Sequence, residues 1–472
     1  MLTPTVDGDS RLSLWLRVRE FAVPPSMIET ATARRHAGDW AGACAAAGFE
    51  ADLDLRSVAR THGRHLAARI RADLRHLAPD LLRWHMPRIA PHGLLRPGLT
   101  VALARYEAGE AGGAPPLHLV ARTPPAWADA GQRISLALWD GSRSGLGAGP
   151  YHPHPRPGGR FRLDLHRHLW DARRTGELRI RSGAGLPPAE GAFGPPEQEH
   201  EQEHGARAVG RWAAEAGILL HAGGHDTRTG TATVGVRLGA RNRLVLDLVA
   251  DGRERPGPLS AWRIAAVRED PGDRTRPVLP DAATWIPPDL ELIRSGAIDP
   301  GRLHPLVAPA LLPGHASPAA LPAQDPAGRP HLVDCRGTPH RIGLVDGVLA
   351  PLDHDPAEIR REELLAALTG TPLPCLQVID QAHREPDCLT GVRERLHHGD
   401  ITGALAVVEG LLGPGALLRD GALREALERA ARRRILYGLF RAGLAEPGPD
   451  RVRPGLPRPR RHRSHPRHTT GR

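Results

Sequence analysis

Arg393-Glu-Arg-Leu-His-His-Gly-Asp-Ile-Thr-Gly-Ala-Leu405 opens, and Ile435-Leu-Tyr-Gly-Leu-Phe-Arg-Ala-Gly-Leu444 closes, the stretch whose pattern decides how the chain is read. Gly399 suits a left-handed helix end, and Asp400 is placed to cap the next helix by accepting from its exposed N–H groups. Ile401, Leu405, Val408 and Leu412 then recur at helical spacing, up to a stop at Gly413-Pro-Gly415. Asp420 reads as a second cap, followed by Leu423, Leu427 and Ala430. Leu436, Leu439 and Phe440 form a third stripe, ending at Gly443. Helices this short are marginal alone, so the pattern implies hairpins that bury their stripes against one another.

Those residues resemble ankyrin repeats. His398-Gly399-Asp400 stands where that family turns between helices. Asp420-Gly421 with Leu423 and Ala426 is similar to the start of a repeat, and Leu439-Phe-Arg-Ala-Gly-Leu444 to the end of its second helix. The Thr-Pro-Leu-His signature is absent, at most two units are visible, and a generic helical hairpin fits the same residues. The resemblance implies a non-catalytic scaffold over 389–447 that binds another protein.

Working outward, residues 331–388 read as a small α/β segment. Strands are expected at 331–333, 341–344 and 348–352, with a turn at Asp346-Gly347. Asp355, Pro356 and Glu358 start a helix as a capping box, and 376–379 reads as one more strand. Residues 271–330 are Pro/Ala-rich and read as a linker, or as loop wrapped over the surface, with a short helix near 290–295. Residues 205–270 form an α+β module, 184–204 a linker, and 93–183 a β-rich module with strands near 99–103, 117–121, 134–139 and 161–165. Leu117-His-Leu-Val-Ala and Leu246-Asp-Leu-Val-Ala, each followed by an Ala-Trp pair, suggest two related β modules. Residues 27–92 are helical, with Leu66, Ile70, Leu74, Leu77 and Leu81 as a stripe, and Arg35-His-Ala-Gly-Asp-Trp echoes the Gly399-Asp400 turn. Residues 1–26 read as a disordered extension ahead of Met27, a candidate true start, and 448–472 as a disordered tail. The fold class is thus α+β and multidomain.

Composition excludes several chemistries. The 472 residues contain no lysine, so all 63 basic residues are arginine, and lysine-dependent P-loop and PLP chemistry is out. Eight arginines fall in 451–472 without an acid; removing them leaves 55 basic against 53 acidic residues, a nearly neutral body. Arginine clusters hold phosphates without sequence preference, so weak nucleic-acid contact is expected of the tail alone. No apolar run approaches the roughly 20 residues of a membrane helix, and no secretory leader is visible, which together suggest a soluble cytoplasmic protein. Cys44, Cys335, Cys375 and Cys388 show no C-x-x-C pair, which argues against a disulfide framework and against a cysteine zinc site.

His200-Glu201-Gln-Glu-His204 matches H-E-x-x-H, in which two histidines a turn apart bind zinc and the glutamate activates water. The third ligand would be Glu215, His221 or His225. The stretch is also a tandem Glu-Gln-Glu-His repeat with no apolar residue from 194 to 205, as a solvated linker would have. Cys388-Leu-Thr-Gly-Val-Arg393 resembles the anion loop of rhodaneses, with Leu332-Val-Asp-Cys-Arg336 similar to their early strand. That loop needs a buried strand before its cysteine, and Gln381-Ala-His-Arg-Glu-Pro-Asp387 is not one, so Cys388 reads as a structural cysteine at a helix start. His225-Asp226 and Asp353-His354-Asp355 are further acid/base candidates. The expectation is a protein-binding scaffold without cofactor, with a zinc-dependent hydrolase using His200, Glu201 and His204 as the alternative.

Overall fold

A computed structural model describes residues 8–107, 115–128, 132–141, 152, 154–184, 207–225, 230–239, 242–250, 262–270, 275–314, 331–335, 337–370 and 372–444. It is an α+β structure whose buried side chains fall into separate hydrophobic clusters.

The largest cluster begins where none was expected. Helix α1 (Gly8–Arg17) runs into a π-helical turn at Val18–Ala22, and Leu14, Trp15, Val18, Ala22 and Val23 are at most 1% exposed. Residues 1–26 are therefore no disordered extension as a whole. Leu12, Leu14, Trp15, Leu16 and Val18 surround the helix rather than forming one stripe, because other elements pack on several of its faces. Helices α2 (Pro25–His36) and α3 (Trp40–Ala46) meet at Gly38-Asp39, and strand β1 (Phe49–Asp52) follows. Helices α4 (Leu55–His62), α5 (Arg64–His76) and α6 (Pro79–His85) carry Leu66, Ile70, Leu74, Leu81 and Leu82 inward.

After a short β2–β3 ribbon (Arg88–Ile89 and Leu94–Leu95), β4 (Thr100–Tyr106), β5 (Leu117–Arg122) and β6 (Ile134–Trp139) form an antiparallel meander. β1 adds to it in parallel, giving the order β1-β6-β5-β4. The expected strand at 161–165 is instead a loop laid on β4, touching it by a single bridge from Ala102 to Arg162. α7 (Leu178–Arg181) closes this part.

α8 (Trp212–Ala222) covers a second meander of β7 (Thr231–Arg237), β8 (Arg243–Ala250) and β9 (Trp262–Glu269). Residues 275–314, within the supposed linker, return to the main core. α9 (Asp281–Thr284), α10 (Pro288–Arg294) and α11 (Ala308–Leu311) bury Leu290, Leu292, Leu303, Val307 and Leu311 there, with the prolines starting helices rather than a free linker.

β10 (His331–Cys335), β11 (Thr338–Val345) and β12 (Val348–Pro351) form a small antiparallel sheet, followed by α12 (Pro356–Thr369) and α13 (Pro374–Arg384). Residues 376–379 are thus helical: Pro374 begins the helix and Cys375 and Ile379 share its buried face. α14 (Leu389–His398), α15 (Ile401–Leu412) and α16 (Ala422–Arg441) complete the fold. α16 is one continuous helix, not two, because nothing between Ala430 and Ile435 breaks it. Asp400 caps α15 as expected, its Oδ1 accepting from Gly403 N at 2.9 Å. The inward residues are Ala404, Val408 and Leu412, whereas Leu405 is 40% exposed. Asp39 repeats this turn, accepting from Gly42 N at 2.8 Å, and Arg34 and Arg395 pair with the two caps from five residues upstream.

The last helix docks on β1 and on the turn after β5. Tyr437 Oη donates to Glu50 at 2.9 Å, Arg441 pairs with Asp52, and Phe440 meets Trp127 edge-on. Arg83, 2% exposed, donates to the carbonyls of Ala22, Ala47, Gln132 and His398. Removing residues 1–26 is accordingly expected to unfold the main core rather than leave it intact. Trp15→Ala alone is expected to cost about 3–5 kcal/mol, read as a lower urea midpoint at unchanged slope.

His398, fully buried, stacks on Phe21. Burial and then the charges of Arg88, His397, Arg83 and Arg17 lower its pKa to about 3. The unfolded chain, with a histidine pKa of about 6.5, binds that proton first. The stability is therefore full above pH 6.5 and is lost as pH falls toward 3. Urea midpoints across that range are expected to fall with pH less steeply in His398→Leu than in the parent.

Candidate metal centre

The small sheet places its side chains by register. Cys335 ends β10 opposite Thr338, and Val333 lies opposite His340. Because side chains alternate between faces, Cys335 and His340 fall on the same face, diagonally adjacent. The turn joining them is fixed by Asp334 Oδ1, which accepts from Gly337 N at 2.9 Å, with Gly337 at φ 81° where other residues are strained. The β11–β12 turn is the expected Asp346-Gly347, both with positive φ, as a tight hairpin needs.

The segment after β12 is tied back to β11. Asp353 accepts from Arg341 N at 2.7 Å and from the Arg341 guanidinium, contacts that draw its carboxyl down to about 2. That places His354 next to His340, their rings 4.0 Å apart and His340 Nδ1 2.5 Å from His354 Nε2. From the opposite side, the first turn of α13 supplies Cys375, whose Sγ lies 3.6 Å from His354 Nε2. One ligand atom from each of Cys335, His340, His354 and Cys375 lies within 4.8 Å of all the others.

The donor set fits zinc. Zinc takes thiolate at about 2.3 Å and imidazole at about 2.0–2.1 Å, so its ligand atoms sit roughly 3.3–3.8 Å apart on a tetrahedron. Two sulfurs and two nitrogens are a zinc-type set, too soft for magnesium or calcium. The outer contact is also of the expected kind: His354 Nδ1 lies 3.5 Å from Glu358 Oε2, which orients the ring so that Nε2 faces the cluster. Glu358 thus turns to His354, while Asp355 alone caps α12 by accepting from Ala357 N. Burial and the neighbouring Cys335 push the Cys375 thiol up to about 11, a repulsion that a divalent cation reverses.

The other candidates stand differently. His200, Glu201 and His204 lie outside the described residues, as does Asp226. Glu215, a proposed third ligand, is committed to Arg181 at 2.6 Å and to His166 at 3.2 Å. Cys388 occupies the N-cap position of α14 and follows a helix and turn, not a strand, which agrees with a structural cysteine. Cys335 and Cys375 lack a C-x-x-C partner, and the spacing argument against a cysteine site looked only along the chain. The fold overturns that argument by bringing them together from positions 40 apart in sequence. The missed signal was Cys335 and His340 flanking a hairpin turn.

Comparison of the chain with protein-family models, characterised proteins and solved structures finds no match.

Purified full-length protein is expected to hold about one zinc per chain. Metal analysis should find it retained in His200→Ala and lost in Cys375→Ala, with a lower melting temperature after chelation. Loss in His200→Ala and retention in Cys375→Ala would point instead to the 200–204 segment.

Proposed function

We propose that this protein is a non-catalytic interaction scaffold whose partner-binding part is a zinc-organised module continuous with ankyrin-like helical hairpins. The observation that carries the reading is the closed ligand set. Four protein ligands leave no position for substrate or water, which is the pattern of structural rather than catalytic zinc. The two β meanders of this scaffold are related modules in this reading. β5 and β8, the strands that carry the matching Leu-x-Leu-Val-Ala runs, are the middle strand of each meander.

The module's surface supports a protein partner. α12 buries none of its residues, yet Leu364, Leu365 and Leu368 are 65%, 48% and 86% exposed. Leu332 and Val348 on the sheet are similarly open. Exposed apolar side chains grouped on one small module mark an interaction face. None of the helices in the described residues is long and apolar enough to cross a membrane.

A photo-crosslinking residue at position 368 of the full chain, in its own cell, is expected to give a discrete protein adduct. That adduct should disappear on Leu364→Asp and be absent from a probe at exposed position 75. Adducts no more discrete than those at position 75 would refute the reading.

A further inference from the structure

We propose that the cleft between the first sheet and the second β module binds an organic phosphate of nucleotide size. The cleft has a volume of about 600 Å³, within the range that holds small-molecule ligands. Four chain segments line it, and three of them supply arginines. Arg156 and Arg160 come from the loop laid on β4, Arg237 from the end of β7, and Arg276 from the segment that pairs with Gly235. Leu99, Phe161 and Val278 supply an apolar floor.

The charges do not balance. Arg160 is held by Asp281, with Nε and a terminal nitrogen both 2.7 Å from its Oδ2. Arg276 is held by Asp270 at 3.1 Å and by Thr233. Arg237 stands directly opposite Arg243 in the β7–β8 register, a like-charge pairing that costs stability in a sheet. Its Nε is buried with no hydrogen-bond partner among the described residues. Burial, then the positive charges of Arg160 and Arg243, disfavour its guanidinium, and Asp281 opposes them. A buried donor left unpaired is expensive, so a ligand that brings an acceptor to this group is favoured.

A phosphoryl group supplies what is missing. Its oxygens match guanidinium forks and carry the charge that offsets the arginine surplus. The apolar floor selects an organic body over bare phosphate. This site is separate from the zinc module and does not depend on the scaffold reading.

Titration calorimetry on the full chain at low salt tests it, with AMP, adenosine and inorganic phosphate as probes. AMP is expected to bind at least tenfold more tightly than adenosine and than inorganic phosphate. Arg237→Gln and Arg156→Gln are each expected to weaken AMP by about tenfold or more, with unchanged melting temperature in the exposed Arg156→Gln. Arg451→Gln, in the tail, should leave the affinity as it was. Absence of AMP binding, equal affinity for adenosine or inorganic phosphate, or unchanged AMP affinity in either cleft variant would overturn the proposal.

Discussion

The Arg83 guanidinium is the contact on which the rest of the arrangement depends. A guanidinium taken out of water is costly unless its donors are satisfied, and Arg83 is satisfied by carbonyls from distant parts of the chain. Ala22 ends the first helical run, Ala47 lies just beyond α3, Gln132 precedes β6, and His398 ends α14. Three of these are carbonyls at helix ends, which have no partner within their own helix. One side chain therefore closes three helix ends and fixes where the C-terminal hairpins sit against the N-terminal core. Lysine would not serve, since a single ammonium lacks the planar fork that reaches separate acceptors. Arg88 extends the device by donating to the carbonyl of Arg83 itself at 2.6 Å, so two like charges are held close by hydrogen bonds rather than by counter-ions.

What was legible in the sequence was local. Asp39, Asp355 and Asp400 announce helix starts because capping needs only the next three residues. The Asp346-Gly347 turn and the β5 and β6 strands were likewise readable from neighbouring residues. What failed depended on distant partners. α1 carries apolar residues around its circumference, a pattern that makes sense only once several packing partners exist. The prolines of 271–330 read as linker, yet Pro288 and Pro309 stand in the first turn of helices that pack on the main core. Leu405 was placed inward by period alone, but Ala404 is the buried residue and Leu405 is turned largely to the surface. The metal ligands are the extreme case, since strand register and the entry of α13 decide them together.

The close approach of modules also explains particular glycines. A Cβ on Gly413 would collide with the carbonyl of Gly347, so the end of α15 rests directly on the β11–β12 turn. Leu349 packs against both the sheet's cluster and that of the hairpins. Arg384 and Arg419 tie α13 to the segment before α16 through Asp420 and Asp380. The zinc-type centre is therefore joined mechanically to the hairpins, and through Arg83 to the main core.

That continuity bears on why a metal would suit this module. The buried residues shared by the small sheet and α13 are Cys335, Ile342, Leu373, Cys375 and Ile379. Two of them are candidate ligands, and the aliphatic remainder contributes about 1.5–3 kcal/mol each when buried. A structural zinc contributes about 10–16 kcal/mol of binding free energy to folding, more than those aliphatic side chains together. A module organised in this way does not need to turn its apolar residues inward. That leaves Leu364, Leu365 and Leu368 of α12 free to remain exposed without the sheet losing its shape. In a module with so small a core, metal ligation and an apolar outer face would be two consequences of one constraint.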